Sequence, residues 1–446
     1  MNYDERIRRT AVLGAGGKMG SGILLLAAAE MADARLKPEN RDKVFELHAI
    51  DISSESLQGL HAYLKSQLLR MAEKKTVALR GLYAERTDLE ENEDIIRQYV
   101  DDAMQIVRFS TRIESAYDAH LVFEAAVEEV DLKVKLLRQI HENSASTPYF
   151  LTNTSSIPIA ELNELAELKG HILGFHFYNP PAVQRIVEFV APEGTVPEMV
   201  DFSLQLAKKM RKVIVQANDF AGFIGNGYLM RDILYGISQA LALEKEMGFA
   251  QAVLTVNKLS QDFLLRPMGI FQLMDYVGID VCQKIMAVMS DRLNKPEIHS
   301  PLIDQLMEQG VRGGQYADGS QRDGIFRYEK GKIIGVYDIH NGEYKSAGKL
   351  LDAADQYLGL VPAGHKPWKA LIRIPNRQAW LTQYFDELSG MQSQGARLAR
   401  AYLNEMRRIG TDLVEEGIAR NAEDVNTVME TGFYHVYGLI NDYVKD

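Results

Sequence analysis

The chain has 446 residues, of which 46% are hydrophobic and 25% charged, with a formal net charge of −11. That length exceeds one ordinary domain and suggests about three, with enough apolar content for a substantial core. The acid excess argues against non-specific nucleic-acid binding, and the single cysteine, Cys282, excludes an intrachain disulfide and a cysteine-rich metal site. The histidines are scattered without ligand spacing, so no metal is expected. Met1 to Arg9 contains acids and runs straight into an apolar strand, which suits neither a secretory signal nor a transit peptide. With nothing resembling a transmembrane helix, the expectation is a cytoplasmic enzyme with no membrane partner.

In chain order, Thr10 to Leu13 reads as a buried strand that breaks into Gly14-Ala15-Gly16-Gly17-Lys18-Met19-Gly20 and then a helix from Ser21 to about Ala34. A strand, a glycine turn and a helix start make an anion site, because backbone N–H groups and the positive helix end converge on a pyrophosphate. The glycine spacing is irregular. Counted from Gly14, the six-residue fingerprint ends on Met19; ended on Gly20, it puts Ala15 first, so either that register or a one-residue insertion is required. The next strand, Phe45 to Ile50, runs into Asp51, whose carboxylate suits a ribose 2′-hydroxyl and repels a 2′-phosphate, which favours NAD over NADP. Arg35 to Lys43, with Pro38, reads as an extended loop. Ser54 to about Lys75 is amphipathic, with Leu57, Leu60, Leu64, Leu68 and Met71 at helical spacing and Lys65, Arg70, Lys74 and Lys75 as a basic set. Strands at Ile106–Phe109 and Ala119–Phe123 and a helix from Asp131 to Ile140 continue an alternation that predicts a parallel doubly wound sheet.

Phe150 to Ile157, Gly174 to Pro180 and Ile186 to Glu188 then place a hydroxyl, an imidazole and a carboxylate at the ends of apolar runs. A lone histidine in such a run is more often a satisfied structural residue. If Glu188 accepts a hydrogen bond from one ring nitrogen of His176, it fixes the tautomer and frees the other nitrogen to take a proton from substrate. Ser155 is the third polar member. Val213 to Val215 reads as the last strand, and Asn218 or Asp219 can cap a helix from near Ala221, with Asn226 in its second turn. Helices are expected from Tyr228 to Glu246, Phe249 to Phe263 and Gly269 to Leu293. A hairpin around Asn341-Gly342 joins Ile333–Asp338 to Glu343–Lys345, and helices follow near 347–357, 376–389, 391–418 and 422–444. The domains read as 1–216, 217–330 and 331–446.

Taken together, these residues resemble the L-3-hydroxyacyl-CoA dehydrogenases over about residues 10 to 330. The similarity runs through the glycine loop, Phe123 to Lys133, Asn153-Thr154-Ser155-Ser156, Gly174 to Pro180, Ile186 to Glu188, Ala221 to Asn226 and Pro267 to Gly278. It implies an α/β Rossmann-type doubly wound sheet followed by all-α domains of the 6-phosphogluconate dehydrogenase-like type. It also implies NAD-dependent oxidation of an L-3-hydroxyacyl-CoA to the 3-oxoacyl thioester, in fatty-acid or related acyl-CoA metabolism. Carried over by position, His176 is the base, Glu188 its partner, and Ser155 and Asn226 hold the substrate. Gly14, Ala15, Gly17, Lys18, Met19, Gly20, Asp51, Ala126, Glu128, Lys133 and Asn153 face NAD, Lys74 can meet the CoA moiety, and a homodimer is expected.

Several residues depart from the family pattern. Pro181-Ala-Val-Gln-Arg185 stands where the family usually has other apolar residues and a lysine, and Gln272 replaces a usual glutamate, so acyl-chain preference does not transfer. Beyond residue 330, Tyr402-Leu, Glu415 to Ala419 and Asp442-Tyr-Val loosely echo Tyr228-Leu, Glu244 to Gly248 and Asp275-Tyr-Val. The echo reads as a degenerate second copy of the helical domain, with an unrelated helical extension as the alternative. Such a copy could replace packing that shorter relatives take from a partner subunit. Two other functions fit the fold: a dehydrogenase of a free hydroxy acid such as carnitine or gulonate, and a non-catalytic NAD-binding relative of the crystallin kind. The 6-phosphogluconate branch wants a lysine that Gly225 to Arg231 lacks.

Overall fold

The computed structural model describes residues 1–316 and 319–443, and the chain divides into two units, Met1–Asp219 and Phe220–Asp446. The first unit is built on an eight-stranded sheet. Its strands are β1 (Arg9–Leu13), β2 (Glu46–Ile50), β3 (Val107–Ser110), β4 (Leu121–Glu124), β5 (Tyr149–Thr152), β6 (Ile172–Phe177), β7 (Ile186–Val190) and β8 (Val213–Gln216). They lie in the order β3-β2-β1-β4-β5-β6-β7-β8. Every residue of β4 to β7 is buried, as befits a sheet with helices on both faces.

The sheet departs from the expected all-parallel pattern at one place: β6 and β7 run antiparallel. The connection between them, Tyr178 to Arg185, is too short for a parallel crossover, which takes roughly a dozen residues or more. From β7 to β8 the helix Pro197–Lys209 intervenes and the pairing is parallel again. Asp219 does not cap the following helix. Its two carboxylate oxygens accept from the Ile159 and Ala160 N–H groups at 2.6 and 2.7 Å, so it caps the helix Ile159–Leu165 instead.

The second unit opens with the helix Phe223–Met247, which starts at Gly222 (φ 86°) without a side-chain cap. Helix Phe249–Lys258 runs into a π-helical turn, Leu259–Phe263. Where one helix was expected from Gly269 to Leu293 there are two, Ile270–Val277 and Ile279–Arg292, separated at Gly278 with φ 109°. The expected hairpin is the outer part of a three-stranded sheet of β9 (Phe326–Glu329), β10 (Lys332–Asp338) and β11 (Glu343–Ser346). Helices Ala347–Leu358, Arg377–Gly390 and Gln394–Glu415 follow close to expectation. The helix expected over 422–444 is not formed. Ala422–Thr427 passes into a second π-helical turn, Val428–Gly432, and Tyr434 then turns left-handed at φ 56°. The Asn426 side chain ties both backbone groups of Ile440, at 3.0 Å to its N–H and 2.8 Å to its carbonyl, which folds the chain back. Val444, the end of that expected helix, lies outside the described residues.

Several special features of this unit occur twice at one constant sequence offset. Gly248 (φ 81°) and Gly417 (φ 74°) each follow a long helix, and Leu265 and Tyr434 both sit at φ 56° just after their π-helical turns. Asn257 and Asn426 each press on a glycine, Gly269 and Gly438, where a Cβ atom would run into the asparagine side chain. The π turn leaves the Phe263 and Leu264 carbonyls to be met from later in the chain, by the Tyr384 and Tyr437 hydroxyls at 3.0 and 2.9 Å. A buried bidentate pair, Arg266 with Asp232 at 2.8 and 3.1 Å, anchors the same region. Gly269→Ala and Gly438→Ala are each expected to destabilise this unit by about 1–3 kcal/mol through overpacking. Gly348→Ala, with nothing within 4 Å, is the control, and thermal midpoints read the difference.

Candidate functional site

At the end of β1 the chain turns through Gly14 at φ 70°. A Cβ on Gly14 would strike the Ala125 carbonyl, and one on Gly20 would fall on the Gly14 carbonyl. Gly14 and Gly20 are therefore the first and last glycines of the fingerprint, and the loop between them carries a one-residue insertion. The register headed by Ala15 is not the one adopted: Ala15 is fully buried and its N–H donates to the Ile50 carbonyl at 3.0 Å. Gly17 precedes the helix Lys18–Arg35, so Lys18 and Met19 open its first turn. The Asp51 carboxylate accepts from the Gly16 N–H at 2.9 Å and the Ser53 N–H at 3.0 Å, which holds it against the loop. Gly16 was missed among the candidates, although it is the middle glycine when the count starts at Gly14. A glycine turn without side chains at a helix start, with a carboxylate beside it, fits the pyrophosphate and ribose of a dinucleotide.

The reversal between β6 and β7 sets the second cluster. His176 lies directly opposite Glu188 in the antiparallel register, and directly opposed residues project on the same face. His176 Nδ1 is 2.8 Å from Glu188 Oε2. Glu188 is fully buried and His176 is 8% exposed. With Nδ1–H assigned as the donor to this carboxylate, Nε2 is the acceptor nitrogen. Tyr178, two residues on and so on the same face, stacks obliquely with its ring 5.2 Å from that of His176. Burial, reinforced by the Glu188 carboxylate, pushes its phenol well above the ordinary range. Tyr178 lies within the Gly174 to Pro180 stretch, and the strand period is the signal that could have singled it out. Behind the turn, Lys212 donates to the Pro181 and Gln184 carbonyls at 2.5 and 2.6 Å, and burial pulls its ammonium down to about 8.

The third cluster holds the loop after β5. Asn153 accepts from the Phe177 N–H at 2.9 Å through its side chain and donates to the Glu124 carbonyl at 2.7 Å, which ties the ends of β4, β5 and β6. One oxygen of Glu128 accepts from the Thr154 hydroxyl (2.6 Å), the Ser155 N–H (2.9 Å), the Ser156 N–H (3.1 Å) and the Ser156 hydroxyl (2.9 Å). Its other oxygen is 3.3 Å from Lys133 Nζ. Lys133 is 1% exposed, and its ammonium also meets both oxygens of the fully buried Glu124, at 2.8 and 2.9 Å. The Ala126 N–H and the Thr152 hydroxyl donate to Glu124 as well, at 2.7 and 2.6 Å. Burial would raise the Glu128 carboxyl, but Lys133 and the donors outweigh it and hold it below the usual carboxylate range. Burial would lower the Lys133 ammonium, and its two carboxylates outweigh that.

Glu124, Thr152, Thr154 and Ser156 were not singled out from the sequence. Thr154 and Ser156 flank Ser155 in the quoted motif; nothing in the spacing of Glu124 and Lys133 announces their pairing. Lys74 stands exposed at the last residue of the helix Ser54–Lys74. Asn226 belongs to the second unit, near the start of the helix Phe223–Met247. Among the described residues no helix is long and apolar enough to cross a membrane.

Residues 9–220 match the family model described as 3-hydroxyacyl-CoA dehydrogenase, NAD binding domain, and residues 222–321 match 3-hydroxyacyl-CoA dehydrogenase, C-terminal domain. A probable 3-hydroxybutyryl-CoA dehydrogenase of Bacillus subtilis is 29% identical over 317 residues, covering 70% of this chain and 96% of its own. A fatty acid oxidation complex subunit alpha of Shewanella amazonensis is 27% identical over 362 residues, 81% of this chain but 43% of its own. Among solved structures, a 3-hydroxybutyryl-CoA dehydrogenase from Escherichia coli K12 aligns with 97% of this chain and 90% of its own at a TM-score of 0.62 and 21% identity. That likeness extends the shared fold into the residues beyond 330.

Proposed function

The chain belongs to the 3-hydroxyacyl-CoA dehydrogenase family of NAD-dependent oxidoreductases, and on that premise we propose that His176 is the base that takes the proton from the 3-hydroxyl of a hydroxyacyl-CoA while Glu188 orients it. The observation that carries this reading is the 2.8 Å contact between His176 Nδ1 and Glu188 Oε2 across adjacent strands. With Nδ1 engaged, Nε2 is the nitrogen that takes the proton, and the carboxylate behind the ring stabilises the imidazolium that forms. NAD, when bound, is the acceptor for the hydrogen that leaves the substrate carbon with its electron pair. Gly14, Gly16, Gly17 and the helix start at Lys18 and Met19 would hold its pyrophosphate and Asp51 its adenosine ribose. Ser155 and, on the second unit, Asn226 are the residues proposed to hold the substrate oxygens, and Lys74 the one proposed for the CoA moiety.

The test follows NADH formation on 3-hydroxyacyl-CoAs of increasing length beside the free 3-hydroxy acids, carnitine included. The proposal expects kcat/KM for a thioester to exceed that for any free acid by about 100-fold or more, since the free acid lacks the binding energy that the CoA moiety contributes. Equal rates on the free acid would sink the acyl-CoA assignment. Asp51→Ala is expected to weaken NAD binding by about tenfold to a hundredfold and to narrow the preference over NADP, since the lost hydrogen bonds to the ribose are charge-assisted. Titration of cofactor fluorescence reads both.

A cytoplasmic setting and an acyl-CoA partner belong to the same proposal. For the homodimer the paired features around Gly248 and Gly417 supply a competitor. They support a second copy of the helical domain folded onto the first within one chain, and sedimentation at rising concentration separates a monomer from a dimer.

A further inference from the structure

We infer that Glu128 is a positioning residue for Ser155: a single carboxylate, braced from behind by Lys133, fixes the loop that carries the proposed substrate-holding hydroxyl. The inference rests on the reading of Ser155 given above and deepens it. Four donors converge on one Glu128 oxygen, and three consecutive residues, Thr154, Ser155 and Ser156, supply them. Two of the four are backbone N–H groups on either side of the Ser155 α-carbon, so the carboxylate sets the path of the chain there. The loop is pinned from its other end too, where the Thr154 N–H donates to the Thr152 hydroxyl at 3.2 Å and the Ile157 N–H to the Thr154 hydroxyl at 3.1 Å.

Hydrogen bonds to an ionised acceptor are about twice as strong as neutral ones, and Glu128 is kept ionised by Lys133 at 3.3 Å. Lys133 is itself held by Glu124, whose second oxygen takes the Thr152 hydroxyl. The result is a closed chain of contacts: Thr152, Glu124, Lys133, Glu128 and the 154–156 loop. Nothing in it is a long surface side chain free to relax, so a loss at Glu128 passes directly to Ser155. A residue that only touched the cofactor would have no reason to spend one carboxylate oxygen on three neighbouring loop residues.

A double-mutant cycle tests this on the full-length enzyme, with kcat, KM for a 3-hydroxyacyl-CoA and Kd for NAD measured for Ser155→Ala, Glu128→Ala and the double variant. If Glu128 acts through Ser155, Glu128→Ala lowers kcat/KM by about tenfold to a hundredfold with NAD Kd changed less than about threefold. The double variant then loses no more than Ser155→Ala alone, because residues that act as a unit are non-additive. Glu128→Gln, which keeps an oxygen for the loop, should recover part of the loss. Additive losses, or a rise in NAD Kd that accounts for the defect, would overturn the inference and leave Glu128 a cofactor contact. If Ser155→Ala itself leaves kcat/KM unchanged, it is the substrate-holding role of Ser155 that fails. Should Glu128→Ala not fold, the same comparison is made with Glu128→Gln, where additivity with Ser155→Ala again refutes the inference.

Discussion

His176→Gln should lower kcat by about 10³- to 10⁴-fold while NAD Kd stays within about threefold, because general-base catalysis contributes on that scale and the ring is remote from the glycine loop in sequence and role. Glu188→Gln should cost somewhat less, about 10²- to 10³-fold, since an amide behind the ring offers no charge to the imidazolium and can present the wrong group to Nδ1. The two residues act as one device. The double variant is accordingly expected to fall little below His176→Gln alone. Steady-state and single-turnover NADH formation, with NAD binding measured separately, decide the matter, and near-normal turnover in His176→Gln would remove the base from the proposal.

The largest effect on stability is expected at Lys133. Replacing it by Met leaves the fully buried Glu124 and the partly exposed Glu128 without their cation, and breaking a buried pair such as Lys133 with Glu124 from one side typically costs about 3–5 kcal/mol. For a unit of some two hundred residues that corresponds to a fall of about 10 °C in the midpoint of the first unit. The pH dependence should flatten as well. In the native protein Glu128 titrates below its unfolded value, so its stabilisation is present above the unfolded pKa and is lost as pH falls through the folded one. In Lys133→Met the Glu128 carboxyl loses the cation that helps to hold it down and titrates closer to its unfolded value. The folded variant then loses less stability on acidification from pH 7 towards 5 than the native protein does. Calorimetry of both proteins at pH 5, 6, 7 and 8 reads the two slopes, and parallel slopes would count against a charge-compensated core.

The parts of the site that could be read from the sequence are those fixed by local rules. A strand running into glycines gave the loop, the end of the next strand gave Asp51, and the ends of two apolar runs gave His176 and Glu188. Their register with one another needed one more fact, that the short link from Tyr178 to Arg185 forces an antiparallel return. What could not be read is which groups meet across the fold. Lys133 is carried over by resemblance as facing NAD, and only the fold shows its ammonium held by Glu124 at the end of β4. Asp219 looks like a cap for the helix that follows it, yet it serves a helix some sixty residues earlier. At the C-terminal end, Val425, Val428, Met429, Val436 and Leu439 have the spacing of a buried helical face and are buried. A π turn and a left-handed Tyr434 bury them without a continuous helix.

Because imidazole and carboxylate meet across a ladder rather than along one strand, their encounter depends on the count of residues in the link between strands. A slip of a single position would send one of them through to the opposite side of the sheet. Insertions or deletions between 178 and 185 should therefore abolish turnover when they shift that pairing and spare it when they only enlarge the bend. In partial denaturation, catalysis should vanish together with deuterium protection of the amides in Phe175 and Phe189, whatever the helical unit is still doing.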